Sequence, residues 1–156
     1  VVVDSTYLLP SLGISVKGLE AEDIQHISKY GGKVEYCYPT PLLAEILAKA
    51  AKEALRRKLT VLPREACEGL KALLTGLVVS LEVPTVDSLM LAAELWMKGH
   101  RDIMDDVAYA HAVKSQAYFM TLDEAFKSFL SKKGYTLEVI VTHKDLEKLT
   151  AQANEN

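Results

Sequence analysis

Five short β-type apolar runs, each separated from the next by helical patterns, constrain this chain of 156 residues more than any other feature. Residues 1–3, 33–38, 77–81, 117–120 and 137–141 read as strands. The segments between them carry helix start and stop signals. A helix over residues 20–30 ends at Gly31-Gly32, Thr40-Pro41 reads as the N-cap and first position of a long helix to about residue 58, and Pro63 opens another to about residue 75. Thr85 caps a helix over residues 86–98, Asp102 caps one to about residue 114, Asp123 starts one to about residue 132, and residues 144–152 form the last. Strands joined through helices run parallel, because the helix carries the chain back to the end of the sheet where the previous strand began. The pattern predicts an α/β fold. With 49% apolar residues, the chain suffices for one domain with a sizeable core, assigned to residues 1–151 with a frayed tail at residues 152–156.

Bulk properties exclude several function classes. A net charge of −3 is unlike the broad basic footprint of a duplex-DNA binder, so any nucleic-acid contact must be local. Arg56-Arg57-Lys58 and Lys132-Lys133 read as solvated helix ends. Cys37 and Cys67 lack CxxC or zinc-type spacing, and no disulfide is expected of a chain that looks reduced and cytoplasmic. His26, His100, His111 and His143 are scattered without HxxxH or HxH spacing and read as surface or satisfied histidines. Neither a dinucleotide-binding GxGxxG nor a P-loop is present. The longest apolar stretch, residues 73–81, is broken by Thr75, Gly76 and Ser80 and falls short of the ~20 residues of a membrane span.

The acids are placed more informatively. Asp4 follows the first strand directly, and the carboxyl ends of strands are where open α/β sheets bind ligands. A carboxylate there is desolvated unless it is paired or metal-bound. Glu45 lies four residues before Lys49, a spacing that a solvated pair worth about 0.3–0.5 kcal/mol would also explain. Asp102, Asp105 and Asp106 share one helical turn, where one acid complements the helix dipole but three repel one another. Asp123, two residues after Thr121, has the position of an N-cap. Carboxylates from four separate segments, Asp4, Glu45, Asp105 with Asp106, and Asp123, suggest a divalent-cation site.

Four stretches together resemble the PIN-domain nucleases: Val1-Val2-Val3-Asp4-Ser5-Thr6, Pro41-Leu42-Leu43-Ala44-Glu45-Ile46-Leu47, Met104-Asp105-Asp106-Val107-Ala108-Tyr109-Ala110-His111-Ala112, and Phe119-Met120-Thr121-Leu122-Asp123-Glu124-Ala125-Phe126. The resemblance runs from residue 1 to about residue 140 and rests on their order and spacing. It implies a three-layer α/β/α domain around a parallel five-stranded sheet of order 3-2-1-4-5. It also favours Asp105 over Asp106 as the third acid, from its distance to Ala110-His111-Ala112 and Thr121-Leu122-Asp123, with Asp102 and Asp106 as accessory candidates and Thr6 and Thr121 as hydroxyls beside the pocket.

The same resemblance implies Mg²⁺ or Mn²⁺ as cofactor and RNA as substrate. These hard cations prefer oxygen ligands, and paired ions can activate water and stabilise the leaving oxygen of a phosphodiester. A VapC-type toxin would add an antitoxin partner and a homodimer; a PIN protein of RNA processing is the other possibility within the family. For the dimer, Leu12, Ile14, Leu19, Ile24 and Ile27 are apolar beyond what five strands require and suggest a self-complementary patch. A non-catalytic PIN scaffold that binds RNA or protein is the rival reading. A metal-dependent phosphatase is weaker, since Asp4-Ser5-Thr6 lacks a DxD motif.

Overall fold

Val2 and Val3, both buried, form the middle strand of the sheet, where helices cover both faces of an apolar pair. The computed structural model describes residues 1–153. Its strands are β1 (Val2–Val3), β2 (Cys37–Pro39), β3 (Ser80–Glu82), β4 (Phe119–Met120) and β5 (Ile140–Val141), all parallel in the order β3-β2-β1-β4-β5. Val2 faces Cys37 on one side and Phe119 on the other, and Val3 faces Met120. This register puts Asp4 and Thr121, the residues that follow β1 and β4, side by side.

Eight α-helices surround the sheet among the described residues: α1 (Ser5–Leu8), α2 (Ala21–Lys29), α3 (Leu42–Arg56), α4 (Arg64–Leu74), α5 (Val86–Met97), α6 (Ile103–Ser115), α7 (Glu124–Lys132) and α8 (Leu146–Ala153). Leu42, Ile46, Ala50 and Ala54 recur every four residues and bury one stripe of α3, leaving Glu45 and Lys49 beside that stripe. In α6, by contrast, every residue from Asp106 to Ala112 is buried, because α6 lies against β1, β2 and β4 on one side and α5 on the other. A helix enclosed in this way brings its polar side chains into contact with the sheet, which matters for Asp106 and His111. No described helix is long and apolar enough to cross a membrane.

The expected alternation of strands and helices is present, with differences: the N-cap of α3 is Pro41, without a side-chain cap bond, rather than Thr40. The strands are two or three residues long, because the apolar runs begin in turns: Leu77 and Val78 are exposed after Gly76, which closes α4 with a left-handed φ of 72°. Residues 5–12, unassigned in the sequence reading, form α1 and a 3₁₀ turn, Leu9–Leu12. That turn and the segment after it take up the surplus apolar residues, so Leu12 and Leu19 lie in the core, and Ile14, Ile24 and Ile27 pack partly against it. These five do not make an open patch. α8 includes Gln152 and Ala153, and the rest of the expected tail, residues 154–156, lies outside the described residues.

Candidate metal centre

The polypeptide turns from β1 into α1 at Asp4, and the turn uses its carboxylate. Asp4 is extended (φ −65°, ψ 143°), and its Oδ1 accepts the Thr6 backbone N–H at 3.0 Å, which caps α1. Its other oxygen, Oδ2, accepts the Thr121 hydroxyl at 2.7 Å. Thr121 Oγ1 accepts in turn from the Asp123 N–H at 3.1 Å, and Asp123 Oδ1 caps α7 through the Phe126 N–H at 2.8 Å. Thr121 therefore ties two of the predicted acids together. Asp4 is almost wholly buried, and burial outweighs these hydrogen bonds to hold its carboxyl above the ordinary range; the charge of Glu45 adds to the rise and that of Lys49 opposes it.

Glu45 makes two contacts. Oε1 pairs with Lys49 Nζ one turn along α3, as the spacing expects, while Oε2 accepts the hydroxyl of Ser5, the residue next to Asp4. Ser5 Oγ also lies 2.7 Å from Tyr38 Oη, and that hydroxyl donates to the Leu42 carbonyl at 2.9 Å. Ser5 is wholly buried, so Glu45 is drawn toward the end of β1 rather than into solvent. Desolvation works against the Lys49 ammonium, yet its bond to Glu45 and the charges of Glu45, Asp4 and Asp105 hold its pKa above the usual lysine value. Tyr38 and Lys49 were missed by the sequence reading as parts of the site. Only the four-residue spacing of Lys49 from Glu45 signalled either of them.

The adjacent acids of α6 separate cleanly. Asp105 carries a carboxyl pushed up to about 8, first by burial and then by the charges of Asp4, Asp102, Asp123 and Glu45, so its electrostatic surroundings are the other predicted acids. Asp102 caps α6 through the Met104 N–H at 3.0 Å and is exposed. Asp106 lies one residue, and so about 100°, further round the helix. It is wholly buried, and its Oδ1 sits 2.8 Å from His100 Nδ1, on a ring packed against Phe126 and Phe129. Its Oδ2 is buried without a hydrogen-bond partner.

The charges of Asp4, Asp102, Asp123 and Glu45 all act on Asp105. Among the described residues, the trio of potential ligand atoms lying within 4.8 Å of one another comes from Cys37, Glu82 and His111 and includes none of them. Like charges keep the carboxylates apart, and Asp4 and Asp123 each spend an oxygen on a helix cap. The donor set is still chemically coherent. Four carboxylates with neighbouring hydroxyls offer only hard oxygen ligands, which suit Mg²⁺ or Mn²⁺ rather than a thiophilic ion. A cation would also offset the repulsion that raises the Asp105 pKa.

That rise gives a pH dependence of definite sign. An acid at 3.8 when unfolded and about 8 when folded keeps its proton longer in the native state, so its contribution to stability falls as pH rises between those values. In EDTA, Asp105→Asn is expected to unfold at higher denaturant than wild type at pH 8–9, by on the order of 1–3 kcal/mol, with the difference closing toward pH 4. Denaturation curves across that range check this, and a variant less stable at pH 9 than at pH 4, relative to wild type, would contradict it.

No protein-family model and no curated protein matches the chain. Among solved structures, the crystal structure of VapC20 from Mycobacterium tuberculosis, a sarcin–ricin loop cleaving toxin, superposes with a TM-score of 0.53 at 20% sequence identity, covering 81% of this chain and 92% of that one. At this identity the likeness is one of fold. Together with five parallel strands in the order 3-2-1-4-5, it shows that the chain has a VapC-type PIN fold.

Proposed function

We propose that the protein is a metal-dependent endoribonuclease whose Mg²⁺ or Mn²⁺ is held by Asp4, Glu45, Asp105 and Asp123. The observation that carries this reading is the surroundings of Asp105, a largely buried carboxyl whose neighbouring charges are Asp4, Asp102, Asp123 and Glu45. Perturbed acids grouped at the carboxyl ends of central strands mark a functional site more often than a structural one. The fold shared with a toxin that cleaves the sarcin–ricin loop supports RNA as the substrate class.

Bound divalent ions supply an activated water and stabilise charge at the scissile phosphodiester. The side chains prepare for this. Thr121 and the Thr6 N–H fix the plane of the Asp4 carboxylate, Ser5 orients Glu45, and Asp123 is locked to Thr121 by its own backbone. Lys49 holds a positive charge against Glu45 and near Asp4 and Asp105, which limits their mutual repulsion. That lysine also favours the rival reading, a non-catalytic scaffold, because a protein-supplied cation already offsets part of the acidic charge.

Cleavage of RNA decides between the two. The protein is expected to cut RNA internally with Mn²⁺ or Mg²⁺ and to stop in EDTA, and Asp4→Asn or Asp105→Asn each to lower the rate by about 100-fold or more. Metal-independent cutting, or full activity in Asp4→Asn, would contradict the assignment. Mn²⁺ binding without any RNA cleavage would support the scaffold.

The reading includes a cytoplasmic protein that forms a homodimer and, if it is a toxin, meets an antitoxin. Support for a partner surface comes from large apolar side chains left open near the ends of α3 and α4, among them Leu55, Val61, Leu74 and Leu77. A dimer burying at least about 1,200 Å² should sediment at twice the 17.2 kDa chain mass at tens of micromolar, and a monomer there would remove the dimer.

A further inference from the structure

We propose that Cys37, Glu82 and His111 form a second cation site, separate from the carboxylate cluster and suited to a borderline ion such as Zn²⁺. The three residues come from three elements. Cys37 opens β2, Glu82 closes its neighbour β3, and His111 lies in the enclosed middle of α6, which packs across β2. One potential ligand atom from each lies within 4.8 Å of the other two. Cys37 and His111 are buried, while Glu82, on the outermost strand, is partly exposed and offers the route of entry.

Donor chemistry selects the ion. A thiol, an imidazole and a carboxylate are the three ligand types that Zn²⁺ takes in tetrahedral sites, and three of them leave a fourth position for water. Burial, with Glu82 beside it, pushes the Cys37 thiol up to about 11, so a bound ion must displace its proton, and sulfur as a donor disfavours the hard cations that suit the Asp4 cluster. Tetrahedral coordination at zinc–ligand lengths of ~2.0–2.3 Å places donors roughly 3.3–3.8 Å apart, inside the span observed. His111 Nε2 now lies 2.6 Å from Glu82 Oε2, so this pair must open by about 1 Å to admit an ion. The partly exposed Glu82 side chain has room to make that movement.

The protein leaves the imidazole incompletely satisfied. Its Nε2 meets Glu82 and is the nitrogen that an ion among these three residues would take, while Nδ1 is buried on the other edge of the ring without a hydrogen-bond partner. Glu82 is the point at which the three meet, since its carboxylate contacts His111 Nε2 and also bonds the Cys37 thiol. Six residues of α6 separate His111 from Asp105, about 9 Å along the helix axis, so the two sites are distinct. A bound ion would tie β2 and β3 to the helix whose first turn carries Asp105.

Cobalt reports on this site directly, because a cysteine thiolate bound to Co²⁺ absorbs in the near ultraviolet and carboxylates alone do not. The full chain, stripped with EDTA and reduced, is titrated with Co²⁺ and then Zn²⁺. One equivalent of Co²⁺ should produce the thiolate band and Zn²⁺ should displace it. Cys37→Ser should abolish the band and weaken Zn²⁺ displacement of Co²⁺ by about 100-fold or more, while Cys67→Ser leaves both unchanged and Asp4→Asn leaves the thiolate band unchanged. If circular dichroism shows Cys37→Ser to be unfolded, Glu82→Gln takes its place, with Zn²⁺ affinity expected to fall at least about tenfold. The proposal is overturned by a wild type without the band, by a band that survives Cys37→Ser or is lost in Cys67→Ser or Asp4→Asn, or by undiminished affinity in Glu82→Gln. None of these results bears on RNA cleavage at the Asp4 cluster.

Discussion

Asp4 is a carboxylate at the end of the central strand, and much of the structure around it serves to make that burial tolerable. Removing a charge from water is costly unless hydrogen bonds or an opposite charge replace the lost hydration. Two hydrogen bonds are supplied, from the Thr6 N–H and the Thr121 hydroxyl, and they also start α1 and join β1 to the turn after β4. They do not suffice, because the Asp4 pKa still stands above its ordinary value. Glu45 adds negative charge nearby, Lys49 supplies the positive charge that faces it, and burial with the surrounding acids pushes the Asp105 carboxyl up to about 8. A region that gathers acids beyond its own resources for neutralising them is suited to a cation from outside.

The parts of this arrangement legible in the sequence are those written in local patterns. Short apolar runs between helical signals gave the class, and the cap residues Thr85, Asp102 and Asp123 stand at the helix starts they mark. The strand order came instead from the family resemblance, since periodicity does not say which strands are neighbours. The preference for Asp105 over Asp106 came from the same resemblance, and in the structure one residue of helical rotation turns Asp106 to His100.

What sequence could not supply was contact across the fold. Ser5–Leu8 went unassigned because a four-residue helix buried behind a strand has no room for amphipathic repetition. Leu12 and Leu19 looked like a dimer patch only because the core they fill is assembled from distant segments. The same reason hid Cys37 and His111. Both lack metal-type spacing along the chain, and they meet only because β2, β3 and α6 are packed together. α6 thus presents hard oxygen chemistry at its first turn and softer chemistry in its middle, where enclosure has turned a histidine toward the sheet.

The central claim is that Asp4 and its neighbours bind the divalent ion that RNA cleavage requires. Crystals soaked in Mn²⁺ and measured near the manganese absorption edge test it most directly, because an anomalous difference map locates the ion without assumptions about activity. The account predicts a peak within bonding distance of the Asp4 and Asp105 carboxylates, with Glu45 or Asp123 directly or through water completing the shell. A map with no peak at Asp4, or with manganese only at surface acids, would contradict it.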